Sequence, residues 1–109
     1  KFKKERVLFF ITENHLSGLN KSLKINKDEK FIIELLSSTK NKQIDNTIIL
    51  NYFRNSKISL DASVKRKNKT IDDLNQKVLE KFELVLIAKR AKETDSRQVV
   101  YVLNPVIEF

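Results

Sequence analysis

The chain has 109 residues and a mass of 12.8 kDa, which supports one hydrophobic core and leaves too little chain for two. A hydrophobic content of 40% is enough to fold, while 33% charge and the lack of any apolar run near ~20 residues argue against a membrane protein and for a soluble, cytoplasmic domain. Cys is absent and His15 is the one histidine, so disulfides, thiolate chemistry and the usual transition-metal sites are excluded, no cofactor is expected, and an enzyme is disfavoured.

The charge is the informative quantity. Twenty-two Lys and Arg against 14 Asp and Glu give a net +8 and a pI near 9.8, a field that attracts polyanions. Nucleic acid is the first candidate, an anionic surface the second, and solubility alone the plain alternative. The chain starts with Lys and holds no Met, so residues 1–109 are read as a single domain belonging to a longer chain, with further domains or a homodimer left open.

In chain order, Val7-Leu8-Phe9-Phe10-Ile11 is β-branched and aromatic, and Leu16, Leu19, Leu23 and Ile25 follow among Asn, Ser, Gly and Lys. Two or three short strands are expected, although i, i+3, i+7 spacing of the three leucines fits a helix equally well. Asn26-Lys27-Asp28-Glu29 is a helix start, because an Asn cap and acidic first-turn residues satisfy free N–H groups and the macrodipole. The first helix presents Phe31, Ile32, Leu35 and Leu36 on one stripe and ends in residues 37–41. Asp45 or Asn46 caps a short second helix with Ile48, Ile49, Tyr52 and Phe53 on its apolar face.

Residues 55–69 are polar and basic and read as a long connection, with room for one helical turn near residues 60–65. Thr70 and Asp73 then form a Thr-x-x-Asp start for a third helix with the stripe Ile71, Leu74, Val78, Leu79 and Phe82. After Phe82 the period changes. Residues 84–88 form one strand, residues 89–97 a charged loop and residues 98–103 another strand, a hairpin with a long basic tip stopped by Asn104-Pro105. Val106, Ile107 and Phe109 add a last apolar patch.

The cations fall in two blocks. Residues 54–69 carry Arg54, Lys57, Lys65, Arg66, Lys67 and Lys69 against Asp61 alone, and residues 84–97 carry Lys89, Arg90, Lys92 and Arg97 against Glu93 and Asp95. Between them residues 70–83 are mildly acidic, so two basic blocks flank one helix and could straddle a phosphate backbone.

Strands, three helices with a basic approach to the third, and a two-stranded hairpin together resemble a winged helix-turn-helix over residues 26–103. Ile87-Ala88-Lys89-Arg90, then Thr94-Asp95-Ser96-Arg97 and Val99-Val100-Tyr101-Val102-Leu103, resemble the wing of MarR-type regulators, with its Asp-x-Arg motif between strands. The leading strands and the Lys24-Ile25-Asn26-Lys27-Asp28-Glu29 entry are similar to the OmpR-type effector domain. The fold so implied is α+β, a winged helix with short N-terminal strands, three helices and a C-terminal hairpin wing.

The resemblance implies a partner, double-stranded DNA, with the third helix in the major groove and the hairpin tip at the minor groove or backbone. Opposite the apolar stripe stand Thr70, Asp73, Gln76, Lys77 and Glu80, with Asn75 and Lys69 near the edges. Asn75 and Gln76 suit adenine, Lys69 and Lys77 suit guanine or phosphate, and Asp73 could accept only from cytosine N4. These carboxylates make the helix less basic than a typical reading helix, so the flanking blocks are expected to supply most of the affinity, and Arg97 a backbone or minor-groove contact.

The aromatic residues Phe9, Phe10, Phe31, Phe53, Phe82 and Tyr101 read as core, His15 as a surface or turn residue, and the pairs Asp28-Glu29 and Asp72-Asp73 as charge at helix starts. The expected function is the DNA-binding domain of a transcriptional regulator. The alternatives are a plasmid or phage replication initiator domain and a winged-helix protein-interaction module.

Overall fold

A computed structural model describes residues 6–54 and 57–109. Over these the chain is α+β, with three helices and seven strands in the order β1 (Val7–Thr12), β2 (His15–Gly18), β3 (Lys21–Lys24), α1 (Lys27–Ser38), β4 (Gln43–Asp45), α2 (Asn46–Phe53), α3 (Leu60–Phe82), β5 (Ile87–Lys92), β6 (Asp95–Leu103) and β7 (Ile107–Glu108). Two sheets result, one in the order β3-β2-β1-β7 and one in the order β4-β6-β5.

The first sheet settles the ambiguity over the leucines in favour of strands. Antiparallel β1, β2 and β3 are joined by two-residue turns, with Leu19 and Asn20 both at positive φ (50° and 61°), the primed geometry that suits strand twist. Period-two alternation sends Phe9 and Leu16 into the core and leaves Leu8 and Phe10 on the outer face, so Phe10 is exposed and is not the core residue its apolar neighbourhood implied. Phe9 lies opposite Gly18 and packs on Phe82 of α3 with ring centroids 4.8 Å apart. β7, too short to signal itself, pairs parallel to β1, and Arg6 and Glu108 form an ion pair beside it.

α1 starts where expected. Asn26 Oδ1 accepts from Glu29 N at 2.8 Å and Glu29 Oε1 accepts from Asn26 N at 2.9 Å, a complete capping box. α2 follows Asp45, whose side chain makes no cap hydrogen bond, and buries Ile49 and Phe53 while Tyr52 stacks on Phe31 at 3.9 Å.

The third helix differs from its expected extent. It begins at Leu60, capped by Ser59, whose hydroxyl accepts from Ala62 N at 3.1 Å, so most of the stretch read as a connection is helical. Asn55 and Ser56 of that stretch lie outside the described residues. Thr70 is mid-helix and its hydroxyl donates to Arg66 O at 2.8 Å, back-bonding that a local Thr-x-x-Asp pattern imitates. Asp72 and Asp73 therefore stand in the helix interior and not at a start. The buried stripe is Ser63, Lys67, Ile71, Leu74, Val78 and Phe82, while Leu79, placed in it by spacing, is exposed.

The hairpin also differs. β5 starts at Ile87 and runs through Lys92, and Lys92 pairs with Asp95, so the turn is Glu93-Thr94 and not a nine-residue basic loop. The register jumps between Ala91 and Lys92, which leaves residues 96–98 as a bulge on β6. Charged residues occupy β5 because it is the edge strand of its sheet and its residues 88–91 are exposed, although they pair with the buried Val100 and Tyr101.

Gly18 is the one glycine of the chain, and a Cβ built on it would overlap the Phe9 ring. Gly18→Ala must displace Phe9 from Phe82 and is expected to cost about 1–3 kcal/mol, read as a lowered urea midpoint with unchanged slope.

Candidate nucleic-acid interface

The burial of one stripe of α3 decides which residues face outward, at about 100° per residue. Among the cations, the structure sorts the predicted set into exposed and committed groups. Lys65 and Arg66 are exposed on α3, and Lys89 and Arg90 on β5, with no hydrogen-bond or ion-pair partner among the described residues. Arg54 and Lys57 are exposed between α2 and α3. Lys69 is exposed and holds Asp73 at 3.4 Å, a loose i, i+4 pair of the kind that exchanges readily with solvent or another anion.

Other members are taken up by the fold. Lys67 is only 4% exposed, a correction to its placement on the binding surface. Its Nζ donates to Asn46 Oδ1 and, at 2.9 Å, to the Tyr101 hydroxyl, joining α2, α3 and β6. The same Nζ lies over the Tyr101 ring, 5.1 Å from its centroid, so the ring adds a cation–π contact to the hydrogen bond that its hydroxyl accepts. Lys77 bonds the fully buried Glu29 at 2.9 Å and ties α3 to α1, which removes it from any groove-facing role. Glu29 Oε2 is buried without a hydrogen-bond partner among the described residues, so Lys77 is the main compensation for that charge.

The amides sort in the same way. Asn75 accepts from Ile87 N at 2.9 Å and donates to Ile87 O at 3.0 Å, so it mimics a strand partner at the start of β5 and is not available to a base. Gln76 donates to Glu80 at 2.7 Å on the exposed face. In the hairpin, Lys92 holds Asp45 at 3.1 Å and Arg97 holds Asp95 at 3.3 Å, the latter inside the Asp-x-Arg pattern, with Arg97 itself almost fully exposed.

Two cavities show which cations come together. One of about 240 Å³ lies between α3 and β5 and is lined by Asn68, Asp72, Asn75, Lys89 and Tyr101 among others, placing Lys89 beside the outer surface of α3. The other, of about 220 Å³, is lined by Gln43, Asp45, Arg90, Lys92 and Val100. Because Tyr101 and Val100 alternate across β6, Arg90 and Lys92 lie on the opposite face of the hairpin from Lys89. The first cavity thus brings Lys89 to the side of α3 that carries Asn68 and Asp72, while Lys65, Arg66 and Lys69 occupy other exposed positions of the helix, Arg66 towards Tyr52 of α2, and the second basic block is split between two faces.

Sequence reasoning missed Asn68, which fell in the supposed connection; the signal available was Ser59 as a cap before Leu60, Val64 and Ile71 at helical spacing. No group of three or more His, Cys, Asp or Glu among the described residues could hold a metal ion, and none of their helices is long and apolar enough to cross a membrane.

Burial lowers the Lys67 pKa from its ordinary 10.5 and raises that of Tyr101 from 10.0. The hydrogen bond to Asp28 raises that of Tyr52, with Arg66 near enough to oppose it. For Lys67 the unfolded chain binds the proton more tightly, so stability is lower while the folded amine is charged and recovers as pH rises from its folded pKa towards 10.5. Above 10.0 the protonated Tyr101 of the folded chain works the other way. Urea unfolding across alkaline pH should accordingly show the difference between the protein and Lys67→Met moving in favour of the protein up to about pH 10; a flat difference would place the amine in water.

Compared with known proteins, the chain matches no family model, no curated protein and no solved structure, so the reading of this surface rests on its own geometry and charge.

Proposed function

We propose that the chain is a winged-helix module that binds duplex DNA, as the DNA-binding domain of a transcriptional regulator. The observation that carries this reading is the exposure of Lys65, Arg66 and Lys69 on the first three turns of α3, with Lys89 of β5 across the cavity that Asn68 and Asp72 of the same helix line. A reading helix meets base edges with its N-terminal residues, and in α3 those turns are the basic ones. Of the carboxylates further along, Asp73 is paired with Lys69, and Glu80 lies near the far end of α3, where a helix tilted out of the groove leaves the phosphates. The earlier start of α3 thus moves the cations from an approach segment onto the helix itself.

The order α1-β4-α2-α3-β5-β6 and a hairpin whose second strand pairs with β4 support the winged-helix assignment. In this docking Lys65, Arg66 and Lys69 neutralise phosphates on either side of the major groove, and Lys89 on the hairpin contacts the backbone next to it. Replication initiators dock in the same way, and the genomic fragments recovered with the protein separate promoters from origins.

The triple substitution of Lys65, Arg66 and Lys69 by Ala is expected to leave the fold intact, since all three side chains are exposed. Duplex affinity measured across salt should weaken at least tenfold, and the slope of log K against log salt should lose up to roughly 2.7, at about 0.9 per phosphate contact. An unchanged slope, or no duplex binding by the unsubstituted chain at low salt, would overturn the reading.

A further inference from the structure

A helix in the major groove discriminates bases through side chains that offer a fixed donor and acceptor pattern and are not already spent within the protein. Three amides lie on α3: Asn75 is spent on both backbone groups of Ile87, and Gln76 holds Glu80 on the exposed face, outside the cavity that Lys89 lines. Asn68 is exposed and has no hydrogen-bond partner among the described residues. It stands between Lys65 and Asp72 on the side of α3 that faces β5, at the mouth of the cavity that also holds Lys89. Asp72, one turn further on, is likewise exposed and without a partner among the described residues.

Their chemistry is complementary. An asparagine presents one acceptor and a donating NH₂ in one plane, which matches the N6 and N7 of adenine, whereas a carboxylate only accepts and matches the N4 amine of cytosine. A carboxylate is repelled by phosphate, so in a helix docked on DNA Asp72 can face the duplex only at an amine-bearing base edge, with Lys89 across the cavity to balance its charge. Four residues of α-helix advance about 6 Å, a little under two base steps of 3.4 Å.

We infer that Asn68 and Asp72 are the base-reading pair of α3, Asn68 selecting an adenine and Asp72 a cytosine one or two base pairs away. The inference rests on the duplex-binding reading above and adds its sequence preference. Lys65, Arg66 and Lys69 hold the helix in the groove, and the uncharged amide beside them converts position into selectivity.

The test is selection of bound duplexes from a randomised pool by the full chain, repeated with Asn68→Ala and Asn68→Asp, each checked for unchanged circular dichroism. The unsubstituted chain should recover a motif with a fixed adenine. Asn68→Ala should lose roughly five- to 150-fold discrimination at that one position, corresponding to the 1–3 kcal/mol of a bidentate pair, while keeping the salt slope. Asn68→Asp should move the preference there from adenine to cytosine. The same motif at the same strength from Asn68→Ala, or a salt slope that falls while preference stays, overturns the inference and leaves duplex binding standing. If the unsubstituted chain recovers no duplex at all, the DNA reading itself fails.

Discussion

The arrangement of the molecule depends on the burial of one stripe of α3 against both sheets. Phe82 meets Phe9 of the first sheet, Asn75 completes the start of β5, and Lys67 reaches Tyr101 of β6 and Asn46 of α2. A 23-residue helix held at several points along its length cannot roll, because rolling would bring Lys65 or Asp72 into the core and expose Leu74 and Val78. Each fully buried Leu or Val of the stripe stabilises by about 1.5–3 kcal/mol, so the rotation of the helix, and hence its outer surface, is set by hydrophobic burial and not by the charges it displays.

Lys67 is the unusual member of that stripe. A lysine between Ser63 and Ile71 sits where an aliphatic residue would pack at less desolvation cost, and its amine is held by two oxygens from two other elements. A hydrocarbon there could fill the volume but could not satisfy the Asn46 carbonyl and Tyr101 hydroxyl together. The amine therefore specifies one relative placement of α2, α3 and β6, a role that depends on direction where apolar contact does not. Glu29 with Lys77 does the same between α1 and α3, so both charged members of the interior bind α3 to a neighbour.

What was legible from the residues was what local chemistry determines. The Asn26–Glu29 box, the stripe of α1, that of α2 apart from the exposed Ile48, the β-type runs at Val7 and Val99 and the lower half of α3 each carry their signal within a few residues. The upper half of α3 was hidden because its inward positions are Ser63 and Lys67, so the apolar period that marks a helix is missing where it is most needed. Thr70 added a false start. β4 and β7 have three and two residues and exist only by pairing with β6 and β1, partners 55 or more positions away in the chain, which no local pattern announces. The charged strand from Lys89 to Lys92 reads as a loop for the related reason that an exposed edge strand has no apolar face to show.

The candidate surface was legible in composition but not in membership. A basic block is visible in any count of residues, yet its members differ in what they are free to do, and that difference is decided by non-local partners. Of Lys65, Arg66, Lys67, Lys69 and Lys77, two are consumed by the interior, one is loosely paired and two are uncommitted. The same sorting acts on the amides: spacing points to Asn75 and Gln76, whereas the fold leaves Asn68 without a hydrogen-bond partner among the described residues. A charge count thus supports attraction to a polyanion, while in the proposed docking selectivity comes from the few non-cationic groups that folding leaves without a partner, of which Asn68 and Asp72 line the side of α3 facing β5. In the proposed docking, attraction and selectivity fall to neighbouring residues of one helix because burial of its opposite stripe exposes both.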